Sequence, residues 1–178
     1  RMDGAISDAV EVYRQETSSK ILSSPILAKS TTPIQVHRFY SDSYGEDYHT
    51  CNPEELKVIK VENPNWEYIG VDYCAYSGPL PGTKPLHSFY SKEVRCHFLT
   101  TDIDEIDSLK SDIPLWAYEG ISQYVYSDKV TGAIPVYRVR SNVATKFMFT
   151  ANEEEVEKLK KDSSGWRFEK IAFWALPK

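Results

Sequence analysis

The chain has 178 residues, a hydrophobic fraction of 41%, a charged fraction of 26% and a formal net charge of −5. That length suits one domain with a short extension, and it buries roughly 70% of the unfolded surface, so neither a disulfide nor a metal is needed for stability. The acidic balance argues against a nucleic-acid backbone binder, which needs a basic face, and no apolar run approaches the ~20 residues that span a membrane.

In chain order, Ile6, Ala9, Val10 and Tyr13 fall at i, i+3, i+4 and i+7, which predicts a short amphipathic helix. It would pack on the domain or contact a partner. Ser18 to Thr32 reads as a linker, so residues 1–32 form an N-terminal extension. The Arg1-Met2 start reads as a cut edge, compatible with a removed targeting segment.

A repeat of 50 residues follows. Trp66, Trp116 and Trp166 hold one register, as do Thr50, Thr100 and Thr150, and Glu55, Glu105 and Glu155. Units are expected at about 34–83, 84–133 and 134–178. Each opens on a strand, for example Leu86-His87-Ser88-Phe89-Tyr90, and continues into a short second strand ending at Thr50, Thr100 or Thr150. Asn52, Asp102 and Asn152 then predict helix starts, each with Glu three residues on, which reads as a capping box. A Trp-led strand closes each unit, with Val71 and Ala75, Ile121 and Val125, and Ile171 and Ala175 expected on one face. Three such units cannot each hold a core alone. The expected fold is mainly β with short helices, a β-trefoil-like pseudo-threefold domain. The runner-up is an open stack of three β-β-α-β units.

The segments Leu86-His87-Ser88-Phe89-Tyr90, His97-Phe98-Leu99-Thr100-Thr101 and Trp116-Ala117-Tyr118-Glu119-Gly120-Ile121 resemble a repeat family of unknown function. Its units read V-Y-R-F-Y-N, H-F-Y-T-T and W-x-Y-E-G-I-A-F, and it occurs mainly in secreted and surface-associated proteins. The resemblance covers about residues 34–178 and implies an extracellular, adhesion-like or carbohydrate-associated module; it supplies no reaction. The family's Arg falls on Arg38 and Arg138, but the second unit has Ser88. Its His falls on His97, against Asp47 and Phe147. Its Glu-Gly pair falls on Glu119-Gly120. The copies share their core better than their polar residues, and the second unit is the first place to look for a site.

Trp116 and its counterparts are candidates for stacking on a sugar, weighed against a core role. Tyr40 and Tyr90 are ligand candidates on the strand face opposite Phe39 and Phe89. His97 with Glu119, and Arg38 or Arg138 with an acid, are candidate polar pairs, weighed against structural hydrogen bonding. Glu55, Glu105 and Glu155 are read as helix caps.

The histidines occupy no nucleophile motif, and Cys96 and His97 are adjacent on a strand and so point apart. Three Cys (Cys51, Cys74, Cys96) allow at most one internal disulfide, with no C-x-x-C spacing. No metal and no cofactor is expected. Charge is uneven, at −5 for residues 34–83, −3 for 84–133 and +3 for 134–178. The expected function is a non-catalytic binding module with lectin-like recognition of a glycan or cell-surface component. Alternatives are a protein-interaction or scaffold domain, and a glycan-acting hydrolase, which would need two carboxylates converging in one cleft.

Overall fold

A computed structural model describes residues 31–112 and 115–178. The helix expected around Ile6 to Tyr13 lies outside the described residues. Within them the protein is mainly β, with three three-stranded antiparallel sheets and three short helices. The first unit holds β1 (Ile34–Ser41), β2 (Glu46–Thr50), α1 (Pro53–Glu62) and β3 (Glu67–Ala75). The second holds β4 (Lys84–Ser91), β5 (Cys96–Thr100), α2 (Ile103–Ser111) and β6 (Ala117–Val125). The third holds β7 (Ile134–Ser141), β8 (Phe147–Thr150), α3 (Glu153–Leu159) and β9 (Trp166–Ala175).

In each sheet the first strand of the unit is central, flanked by the second and third. The central strands bury Val36, Leu86 and Val136, and three residues further on Phe39, Phe89 and Val139 are equally inaccessible. The sheets are joined by three isolated bridges: Tyr76 with Tyr124, Tyr126 with Trp174, and Leu176 with Cys74. Adding 50 to both members of one bridge gives the next, and the third returns to the first unit. The units therefore close on one another rather than stacking as an open row. At their meeting point, Tyr73 and Phe173 lie edge to face at 5.7 Å, and the Tyr73 hydroxyl donates to Gln123 at 3.2 Å. These three side chains occupy the same repeat position and are all buried.

Asn52, Asp102 and Asn152 cap their helices as expected, each side chain accepting from the N–H groups two and three residues on. Ile59, Ile106 and Val156 are the apolar side chains these helices bury. The capping-box role of the glutamates does not hold. The cap N–H donates instead to the preceding threonine hydroxyl, Thr50, Thr100 or Thr150, at 3.0–3.1 Å. Glu105 and Glu155 therefore have their carboxylates available for another unit.

The third strands differ from a simple alternation. Pairing passes from Ser88–Gly120 to Phe89–Tyr118 and from Leu86–Gln123 to His87–Ile121, so Glu119 and Ser122 are extra residues. The other units shift at the same places. Such β-bulges flip the facing of everything beyond them. This is why Ile121 is 48% exposed while Val125 is buried, against the expectation that they share a face.

Candidate functional site

Two of the three junctions between units share one recurring contact. Arg138, in the middle of β7, donates from both Nη atoms to Glu105 of α2 at 3.2 and 2.9 Å, and from Nε to Glu169 at 2.6 Å. Its guanidinium lies over the Phe98 ring, 4.7 Å from the centroid. Arg38, in β1, makes the same reach around the ring of units. It grips Glu155 of α3 at 2.7 and 3.0 Å, with Asp47 3.4 Å from Nε. Both arginines are almost fully buried. Burial works against the Arg38 charge, but Asp47, Glu155 and Asp72 outweigh it and hold the guanidinium firmly protonated. These are bidentate, charge-assisted contacts, the strongest kind of side-chain hydrogen bond.

Glu105 is held below the usual carboxylate range. Burial pushes it up, but hydrogen bonds from Arg138 and Thr100 and the charges of Arg138 and Lys170 outweigh that. A group depressed in the folded state stabilises the fold above its ordinary value near 4.3, and this contribution is lost as pH falls through the folded value. Melting temperature should therefore fall below about pH 5, and the fall should be shallower in Glu105→Gln. Burial moves Asp47 the opposite way, so the comparison with Glu105→Gln is what isolates Glu105.

The third junction, between the first and second units, lacks its arginine. Ser88 stands at that position, and its hydroxyl donates to Glu119 at 3.0 Å. A cavity of about 310 Å³ opens there, lined by Glu55, Ser88, His97, Glu119, Gln123 and Tyr48, among others. Glu55 is the counterpart of Glu105 and Glu155, Glu119 of Glu169, and Tyr48 of Phe98. The cavity is thus walled by the same groups that surround Arg138. No Lys or Arg is among its described lining residues.

His97 takes one side of this space. Its ring lies between Tyr48 and Tyr90, with centroids at 4.8 and 4.5 Å. Its Nε2 is 3.7 Å from Glu119 and its Nδ1 is 3.4 Å from Glu46. The Tyr48 hydroxyl donates to Glu55. On the first-unit side, His49 bonds Asp72 at 2.8 Å. Burial pushes Asp72 up, but its hydrogen bond to His49 and the charges of His49 and Arg38 hold it below the usual range.

Of the candidates read from the sequence, the structure brings together His97, Glu119 and, through its ring, Tyr90. Tyr40 is half-buried and does not line the cavity. Arg38 and Arg138 lie in buried ion pairs between units, the structural alternative weighed for them. Trp116 is only 5% exposed and packs with Phe98 in the main core, the core role weighed for it. Its edge borders a second, shallower hollow with Phe147 and Leu109. Glu55, Ser88 and Gln123 were not singled out as site residues. The signal for them was the column Arg38, Ser88, Arg138 read beside the column Glu55, Glu105, Glu155. All three cysteines are free thiols, and burial pushes Cys96 up to about 12. Among the described residues, no group of three or more His, Cys, Asp or Glu is placed to hold a metal ion. Among them also, no helix is long and apolar enough to cross a membrane.

The chain belongs to the family described as Domain of unknown function (DUF5648), whose model matches residues 35–176 and so takes in all three units. No curated protein and no solved structure matches it.

Proposed function

We propose that the domain is a non-catalytic binding module of trefoil-like closure, secreted or surface-associated, that receives its ligand in the cavity between the first and second units. The observation that carries this reading is the asymmetry of the junctions. Two are sealed by a buried arginine, and the third replaces it with Ser88 yet keeps the surrounding carboxylates and aromatic ring. A site of mixed polar and aromatic lining in an otherwise packed domain is the usual form of a recognition pocket. The ligand is a glycan or another cell-surface component that offers hydrogen-bond donors to Glu55 and Glu119.

A glycan array and a ligand titration on the whole chain test this, with Ser88→Arg as the variant that fills the cavity. Binding that disappears in Ser88→Arg, while circular dichroism stays native, supports the reading. Silence for every glycan and peptide probe would sink it.

A hydrolase acting on glycans is the second reading, because Glu55 and Glu119 line one cavity. Against it, their counterparts Glu105 and Glu169 both serve as partners of Arg138, so the carboxylate pair has a structural role elsewhere in the repeat. Turnover of chromogenic glycosides, abolished by either Glu55→Gln or Glu119→Gln, would establish the hydrolase instead.

A further inference from the structure

We propose that the outer surfaces of the first and second units each carry a site for an acidic sugar residue, built on His37, Lys60 and Tyr68 in the first unit and on His87, Lys110 and Tyr118 in the second. These sites are separate from the cavity between the two units. The ligand class is a glycan that bears carboxylate or sulfate groups.

One arrangement occurs twice. The Nδ1 of His37 in β1 lies 2.8 Å from the Tyr68 hydroxyl of β3, and the Nδ1 of His87 in β4 lies 2.8 Å from the Tyr118 hydroxyl of β6. A lysine from the last turn of the unit's helix completes each pair. Lys60 Nζ sits 3.8 Å from the Tyr68 ring centroid, and Lys110 Nζ sits 4.3 Å from that of Tyr118. Both lysines are exposed, and the tyrosines are 37% and 43% exposed. An exposed cation–π contact contributes only about 0.5–1 kcal/mol, so stability gives little reason for the arrangement. The third unit supplies the contrast. Tyr137 and Phe168 stand at the two ring positions and meet edge to face at 6.1 Å, with no hydroxyl on Phe168 to bond. Its lysine, Lys160, pairs with Glu157 at 2.8 Å. Among the described residues, Lys60 and Lys110 pair with no carboxylate and lie only on their tyrosine rings.

Three kinds of group meet at each site, and an acidic sugar matches all three. The lysine ammonium offers its positive charge to a carboxylate or sulfate. Burial and Lys60 push His37 down, and burial and Lys110 do the same to His87, so both rings are neutral at neutral pH. With the phenol donating to Nδ1, Nε2 carries the proton and is left to donate to a sugar oxygen. The apolar part is the exposed tyrosine ring, with Val71 paired beside His37 and Ile121 paired beside His87. A few polar groups set in apolar surface are the usual form of a recognition site. The two units carry −5 and −3, but that field fades beyond the ~8 Å screening length at physiological salt. Nearby, the charge that acts on each histidine is its lysine, whereas Tyr137 in the third unit feels Glu153 and Glu157 as well as Lys160. Local charge therefore selects an anion at the first two units, and the acidic chain as a whole disfavours nucleic acid.

The test is calorimetric titration of the whole chain with a galacturonic acid hexasaccharide, a heparin hexasaccharide, a neutral glucose hexasaccharide and inorganic sulfate. The expected result is two equivalent sites per chain, one for each His–Tyr pair. They should prefer an acidic hexasaccharide to the neutral one by about tenfold or more and weaken as salt is raised. Lys60→Gln or Lys110→Gln should each leave one site, and the double variant none. Lys160→Gln and Ser88→Arg should leave both. Tyr118→Phe keeps the ring, removes the hydroxyl as in the third unit, and should weaken the second site several-fold. Binding of the galacturonic acid hexasaccharide alone assigns carboxylate as the recognised anion, and binding of the heparin hexasaccharide alone assigns sulfate. No binding of either acidic hexasaccharide, equal binding of the neutral one, free sulfate binding as tightly as the heparin hexasaccharide, or binding unchanged in the double lysine variant overturns the inference. Binding that is lost in Ser88→Arg but kept in the double lysine variant would overturn it while supporting the cavity as the binding site.

Discussion

Glu155→Gln should lower the unfolding free energy by about 3 kcal/mol, because it strands a buried arginine. Arg38 is 3% exposed and rests on Glu155 through both Nη atoms, with Asp47 at the longer distance of 3.4 Å. Burying a guanidinium is costly, and the pair offsets that cost only while its geometry is intact. A neutral amide keeps the shape but provides no counter-charge. Glu105→Gln should behave alike through Arg138. Glu55→Gln, at the same repeat position, should change stability by less than about 1 kcal/mol. There Glu55 accepts from the Tyr48 hydroxyl, a bond that a glutamine oxygen can still accept. Urea unfolding of the three variants checks this: midpoints should shift at unchanged slope for Glu105→Gln and Glu155→Gln and hardly at all for Glu55→Gln. Equal losses at all three would mean that the junctions are energetically alike.

Phe173→Ala should cost about 3–5 kcal/mol, the range for truncating a fully buried aromatic. Phe173 is completely inaccessible and meets Tyr73 edge to face at 5.7 Å where the units converge. Its removal leaves a cavity against Tyr73 and beside Gln123, whose hydrogen bond to the Tyr73 hydroxyl loses its apolar cover. The loss should appear in one cooperative transition by both near- and far-ultraviolet circular dichroism, because the units share this core. Two separated transitions, or a loss below about 1 kcal/mol, would mean that the units hold together elsewhere.

The local chemistry of the fold was legible in the sequence. Alternation marked the strands, and Asn52, Asp102 and Asn152 marked the helix starts, because both signals depend on neighbours a few residues apart. The register of the repeat was equally plain, since invariant Trp and Thr positions need no three-dimensional knowledge. The contacts between units were not legible. Arg38 and Glu155 are 117 residues apart, and Arg138 and Glu105 are 33 apart, although both pairs make the same step around the ring. The capping-box spacing offered those glutamates a local role, and Thr50, Thr100 and Thr150 took it instead.

The bulges were hidden too. Period-two alternation assumes no extra residue, so it placed Ile121 with Val125 and gave no reason for Glu119 to share a site with Ser88. Of the proposed ligand residues, His97 and Glu119 were visible as matches to the repeat family's motif. Ser88 was equally visible, but as an exception rather than as the opening of a cavity. A missing side chain becomes a site only when its former neighbours are known, and those lie in another unit.

The central claim is that the junction between the first and second units has Ser88 where the other two junctions have a buried arginine. The crystal structure of Ser88→Arg tests it most directly. The introduced guanidinium should lie over Tyr48, with both Nη atoms on Glu55 and Nε on Glu119, closing the cavity as Arg138 closes its own junction. An introduced side chain swung out to solvent, with the cavity still open between Glu55 and Glu119, would contradict the account.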